Sequence, residues 1–194
     1  MSKNVVVISG PTGSGESTIT KEVIRRFPRT VVRLVTATSR PPRDSEQNGV
    51  DYFFFSKEEF LRHQKNGTIV EAGYIPNRDA YYGTHLPDLE QKLAAGLTII
   101  ANTQIVGTKY YKENYRATSI FIEPESIDLL EERIRARSPG LTGQEIMSRL
   151  DDAKREIREE GPIYDYHVIN AEGKLDQAVD AVIEIFRKEG YTLS

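Results

Sequence analysis

Cysteine is absent from this 194-residue chain, so no disulfide can form and no thiolate is available to a metal. No apolar run is long enough to span a bilayer, and no N-terminal signal is visible, because the first apolar stretch begins at Val5. Charge of one sign is also lacking. With 26 Lys and Arg against 29 Asp and Glu the formal net charge is −3, which offers no global attraction to nucleic acid or to an anionic membrane. Neither is expected as a partner, and any anion binding must come from local clusters. Repeats and low-complexity stretches are missing too. What is present is 38% hydrophobic residues, enough for one sizeable core with appended lobes rather than two independent units. A cytoplasmic location is the expectation.

Apolar runs alternate with amphipathic segments. Val5 to Ser9, Val31 to Thr36, Thr98 to Ala101, Ser119 to Ile122 and His167 to Ile169 are strand candidates, and their spacing predicts an α/β fold with a parallel sheet flanked by helices. The segment from Arg40 to Tyr82 breaks that rhythm. Short strands at Asp51 to Phe55 and Thr68 to Glu71, around a helix near Lys57 to Gln64, predict a small inserted lobe. Leu129 to Arg137 and Glu145 to Glu159 are charged helical patterns joined by the turn-rich Ser138 to Gly143, a plausible lid. The expected organisation is one domain with a core of about 1–35, 85–128 and 160–194, the lobe at 36–84 and the lid at 129–159. Lys174 to Lys188 is a closing amphipathic helix.

Gly10-Pro11-Thr12-Gly13-Ser14-Gly15-Glu16-Ser17-Thr18 follows the first strand and opens a helix. It fits the phosphate-binding pattern G-x-x-x-x-G-K-[ST] except at Glu16, where the pattern has lysine. Glycines let the backbone curl until its N–H groups face a phosphate, and the lysine neutralises the terminal phosphates. The backbone half survives, which makes Gly10, Thr12, Gly13, Ser14, Gly15, Ser17 and Thr18 candidates for ATP binding and Ser17 the candidate magnesium ligand. Glu16 brings a carboxylate where positive charge is wanted.

Arg40 and Arg43 leave a loop kept extended by Pro41 and Pro42, an arrangement suited to a phosphate, although a solvated basic loop would look the same. Tyr52, Glu71, Tyr82 and Thr84 fall on strand ends or turns of the same lobe. A carboxylate beside hydroxyl groups can read a base with paired N–H groups, such as guanine; singly, the two tyrosines would be ordinary packing aromatics.

Together these segments resemble the guanylate kinase family. Ser39-Arg40-Pro41-Pro42-Arg43, Asn48-Gly49-Val50-Asp51-Tyr52-Phe53-Phe54, Tyr81-Tyr82-Gly83-Thr84 and Ile120-Phe121-Ile122-Glu123-Pro124-Glu125-Ser126 look like its signatures in its order, across nearly the whole chain. The resemblance implies a P-loop NTPase-type sheet with a GMP-binding lobe and a helical lid, transferring a phosphoryl group from ATP to GMP with Mg²⁺. It implies that Arg40, Arg43, Tyr52 and Tyr82 hold the GMP phosphate, and that Thr36, Glu71 and Thr84 read the guanine. Arg133, Arg137 and Arg149 would close over the ATP phosphates, although acidic neighbours would also suit a salt-bridged helix face. Asn170 falls in the segment that passes the adenine.

Two departures fall on the catalytic side. Glu16 replaces the lysine, and Asn102 and Gln104 carry amides where the family has carboxylates that hold magnesium-bound water or contact guanine. A neutral amide attracts a divalent ion much less. The expectation is a guanylate kinase impaired by Glu16 and Gln104. Its alternative is an inactive module that binds GMP or a protein partner; a kinase for a different monophosphate is a third reading. Tyr74 to Ala80 lengthens its loop relative to the family and is expected as a surface turn, the other possibility being a phosphate contact from Arg78. Oligomeric state is not legible.

Overall fold

The structure, a computed structural model, describes residues 3–194, except for the side chain of Asn77. Its central sheet has the order β2-β7-β1-β8-β9, formed by Val31–Arg33, Thr98–Ala101, Val5–Ser9, Thr118–Pro124 and Tyr166–Asn170. Every pairing in it is parallel. Such a sheet is covered on both faces, which is why β1 reads as the unbroken run Val5-Val6-Val7-Ile8-Ser9 and is buried throughout.

The two-residue period sorts the side chains. Val6, Ile8, Ile100, Ile120 and Ile122 face α1 (Glu16–Arg26) and α7 (Leu175–Lys188), meeting Ile19, Val23, Val179, Val182 and Phe186. Val5, Val7, Ile99, Ala101 and Phe121 face the other way, toward Leu89 of α3 (Leu86–Ala94) and Tyr111 of α4 (Ile105–Tyr115).

The inserted segment builds a second, mixed sheet in the order β4-β3-β6-β5, from Phe53–Phe54, Ala37–Thr38, Ala80–His85 and Ile69–Ile75. Helix α2 (Lys57–Lys65), started by a Ser56–Glu59 capping box, closes it over Ala37, Phe60 and Ile69. Helices α5 (Ile127–Arg137) and α6 (Gly143–Arg155) form a helical arm around Leu130, Ile134, Ile146 and Leu150.

Three expectations need correction. The run expected as one strand from Val31 to Thr36 is split: β2 ends at Arg33, and the chain crosses to the second sheet with Val35 N held by Asp88 Oδ2 at 3.0 Å. Residues 74–80 are a surface turn only at their centre. Tyr74 and Ile75 extend β5 and pair with Tyr81 and Ala80 of β6, leaving only the 3₁₀ turn Pro76–Arg78 as the connection. The helix expected at 145–159 begins at Gly143 and widens after Arg155 into a π turn, Glu156–Glu160.

A buried hydroxyl ties the chain's end to the sheet. Tyr191 OH donates to Val5 O at 2.8 Å and accepts from Thr118 N at 3.1 Å. Tyr191→Phe leaves both backbone groups unpaired and is expected to cost about 1–3 kcal/mol, read as a lower midpoint in urea with an unchanged slope.

Candidate functional site

The loop between β1 and α1 has the backbone of a phosphate cradle. Gly13 and Gly15 lie at φ 94° and 96°, and Gly15 sits at the start of α1 without any side-chain cap. Close approaches require the other small residues: a Cβ on Gly10 would lie 2.5 Å from Ile122 O, and one on Gly15 would lie 2.2 Å from Asn170 Nδ2. Ser14 is fully buried, and its Oγ is without a partner. A buried orphan hydroxyl inside a glycine loop is suited to a phosphate oxygen.

Glu16 is the first residue of α1. Burial and the neighbouring Glu156 carboxylate push its pKa up to about 7, against the opposing pull of Arg78 and Arg137. Glu156, in the π turn beyond α6, is likewise raised to about 7, by burial and by Glu160 and Asp152. The loop, the arm and the Arg78 hairpin therefore converge on one region.

In the lobe, Glu71 lies on a bulge of β5 where the pairing with β6 slips between Val70 and Gly73. Its φ of 48° is in the left-handed region, a strained conformation for glutamate that turns the side chain off the regular strand alternation. Glu71 Oε1 accepts a 2.9 Å hydrogen bond from Thr84 Oγ1, whose oxygen also meets the buried Tyr111 hydroxyl. Burial pushes the Glu71 carboxyl up to about 7 despite the Thr84 bond. Thr36 is half-buried, and its carbonyl accepts from Phe53 N at 2.8 Å.

Beside Glu71 lies a cluster of rings and guanidinium groups. The Tyr52 and Tyr82 rings meet edge-on at 6.0 Å, and Arg40 Cζ lies 5.6 Å from the Tyr52 centroid. Arg40 is oriented by Glu46, Nη2 to Oε1 at 2.9 Å, while the same carboxylate accepts from Arg43 N at 2.8 Å. Arg43 itself is exposed. Although burial acts to raise the Tyr82 phenol, Arg78, Arg40 and Thr38 hold it below its ordinary value.

On the arm, Arg133 Nη2 reaches Asn170 O at 3.3 Å and Glu172 Oε2 at 3.1 Å, and its Nη1 is buried without a partner. Arg137 is exposed and Arg149 half-buried. Asn170 does more than border the loop: its Nδ2 donates to Ser14 O at 2.7 Å.

Comparison with known proteins is consistent along the chain. Residues 2–189 match the guanylate kinase family. A guanylate kinase of Synechocystis is 33% identical over 187 residues, covering 95% of this chain and 94% of that protein. Another from Rhodopirellula baltica is 34% identical over 183 residues, 93% of this chain and 86% of the relative. The chain belongs to the guanylate kinase family. A crystal structure of guanylate kinase from Anaplasma phagocytophilum superposes with a TM-score of 0.72 at 29% identity, covering 97% of this chain and 87% of that one. A shikimate kinase from Acinetobacter baumannii, 12% identical over 97% of this chain and 96% of its own, shares the fold with a TM-score of 0.51.

Against this family background the amides are informative. Asn102 Nδ2 donates to Thr20 Oγ1 at 3.0 Å and to Ile8 O at 3.1 Å, and the bond to the Ile8 carbonyl is one that an ionised carboxylate could not make. Gln104 is exposed at the start of α4, where its carbonyl receives Thr108 N at 2.9 Å. Among the described residues no cluster of three His, Asp or Glu side chains suits a metal. Ser17 and Thr18 are exposed on the first turn of α1.

Several contributors escaped the sequence reading. Tyr111 supports the Thr84–Glu71 pair from α4, and a Cβ on Gly107 would come within 2.8 Å of Glu71 Oε2. Arg33 Nη2 holds Val50 O and Asp51 O, each at 2.8 Å, fixing the turn before Tyr52. No local pattern announces such pairs, because each joins segments far apart in sequence or across a turn.

Since Glu71 is raised above its unfolded value of about 4.5, the folded chain binds the extra proton between about pH 4.5 and 7 and loses stability as pH rises through that window. Glu71→Gln should therefore match the parent at pH 4.5 and be the more stable protein at pH 8, as measured by urea denaturation at both values.

Proposed function

We propose that this protein transfers the γ-phosphoryl group of ATP to GMP, giving ADP and GDP. The observation that carries the proposal is the Glu71 carboxylate, held by Thr84 next to the Arg40, Tyr52 and Tyr82 cluster. Guanine offers N1–H and N2–H to a carboxylate, and the cluster offers hydroxyl and guanidinium donors to the 5′-phosphate. Thr36 and Thr84 complete the reading of the base.

On the donor side, the curled backbone from Gly10 to Gly15, with Ser14, surrounds the ATP phosphates, and the α1 N-terminus faces them. Arg133 has an unused buried N–H for a phosphate oxygen; Arg137 and Arg149 supply further positive charge as the arm closes like a lid. Asn170 acts through Ser14 by fixing the loop, in addition to bordering the adenine. Ser17, on the first turn of α1, would be the protein ligand to a magnesium ion arriving with the nucleotide, and the ion would supply neutralisation of phosphate charge. In the transfer, an oxygen of the GMP phosphate attacks the γ-phosphorus in line while the bond to the β,γ-bridging oxygen breaks and ADP leaves. Catalysis is positioning plus charge stabilisation, so no protein group forms a covalent bond.

Glu16 opposes this chemistry. Exchanging a cation for an anion beside a polyphosphate matters by several kcal/mol even at an effective ε of ~20. Gln104 adds a weaker hold on magnesium or guanine than a carboxylate gives. The facing Glu16 and Glu156 carboxyl groups support a second reading, a module that binds GMP and transfers slowly. Cytoplasmic GMP and ATP pools are the setting that fits either reading.

Glu16→Lys is expected to tighten ATP binding and raise turnover about 10²-fold, the scale of one transition-state donor. An unchanged rate in a steady-state assay would remove the electrostatic account. Arg43→Ala is expected to weaken GMP roughly 10-fold or more by calorimetry while leaving ATP unaltered, since a charged hydrogen bond is worth that much. Equal losses for both nucleotides in a folded variant would contradict the acceptor assignment. GMP affinity should also fall as pH drops below about 7, where Glu71 gains its proton, and Glu71→Gln should bind GMP more weakly at pH 8 with little pH dependence.

A further inference from the structure

The hairpin turn at 76–78 is built to hold a cation. Pro76 opens the 3₁₀ turn and Asp79 closes it at φ 46°, with Asp79 N donating to Pro76 O at 3.1 Å. Asp79 is fixed from two sides, by the Tyr74 hydroxyl and by Lys57 Nζ at 2.9 Å, and the Tyr74 ring lies 5.0 Å from Tyr81 across the hairpin. Between these anchors stands Arg78, its Cζ 5.5 Å from the centroid of Tyr82. The residue is exposed on the lobe, where its guanidinium also hydrogen-bonds the Tyr82 hydroxyl.

Besides Arg33, which acts on Tyr52, and Arg155, which acts on Glu156, three arginines bear on this region, and they divide by position. Arg40 influences Tyr52 and Tyr82 in the lobe. Arg137 influences Glu16 on the loop. Arg78 influences all three, and Glu156 of the arm as well, so its field spans the acceptor and donor sides.

We propose that Arg78 is a catalytic residue that takes over the charge role of the missing loop lysine, reaching from the acceptor lobe onto the phosphates between the two nucleotides. The inference rests on the kinase reading above. It explains how a loop bearing Glu16 could still gather polyphosphate: the neutralising cation comes from the lobe and arrives with the acceptor. ATP binding should accordingly be tighter when GMP is present, because the lobe that carries Arg78 also carries the GMP site.

The test is a double-mutant cycle of Arg78→Ala and Glu16→Lys, reading turnover together with calorimetric ATP affinity with and without GMP, in magnesium. Arg78→Ala should lower kcat about 10²-fold in the parent protein and less than about 5-fold in the Glu16→Lys background, where the cation is redundant. Arg78→Lys should recover part of the loss. Asp79→Ala, which frees the turn but keeps the guanidinium, should give an intermediate loss with GMP affinity little changed. Equal losses from Arg78→Ala in both backgrounds, with GMP-dependent turnover intact in the parent, overturn the role of Arg78 and leave the kinase reading standing. An absence of turnover, with Arg78→Ala still weakening ATP only when GMP is bound, overturns the kinase reading and upholds the cation. No change in either quantity overturns the proposal.

Discussion

The bond from the Asn170 amide to the Ser14 carbonyl is the constraint on which the site depends. It is buried, it joins the last strand of the sheet to the middle of the glycine loop, and it requires Gly15 because a Cβ there would meet the same amide nitrogen. Arg133 extends the chain of contacts by bonding to Asn170 O, so the sheet edge, the loop and the helical arm share one anchor. The loop has to be fixed in this way because the site lies at the carboxyl ends of parallel strands, where no strand neighbour can pair its backbone.

Three carboxyl groups with pKa values near 7, Glu16, Glu71 and Glu156, mark the two halves of the site differently. Glu71 is raised by burial and given one hydrogen bond, from Thr84, an arrangement that a base with paired N–H groups would complete. Glu16 and Glu156 are raised by burial and by acidic neighbours, so they disfavour an anion arriving between them. On the proposed reading, an acceptor site stands beside a donor loop whose charge is inverted at one position, and the surrounding arginines would offset that inversion.

Much of this was legible in the residues. The run Val5 to Ser9 followed by alternating apolar and amphipathic segments sufficed for the parallel sheet, because fully buried strands carry no competing polar pattern. Family signatures pointed to Arg40, Tyr52, Glu71, Tyr82 and Thr84, which the fold gathers in one lobe. Less visible was whatever depends on register. The bulge that turns Glu71, the Tyr111 support and the extension of β5 through Tyr74 and Ile75 arise from pairing between distant or facing strands, and local propensity is silent about them. The Val31 to Thr36 run misled for a related reason: β-branched residues mark extended chain equally well where it crosses between two sheets.

The central claim is that a chain with an inverted loop charge remains a phosphotransferase for GMP. It is tested most directly by ADP formation from ATP and magnesium by the unmodified protein, with GMP and with AMP, CMP or UMP in its place. The account predicts slow turnover that requires GMP. Turnover with another monophosphate at an equal or higher rate, or none with any acceptor, would contradict it.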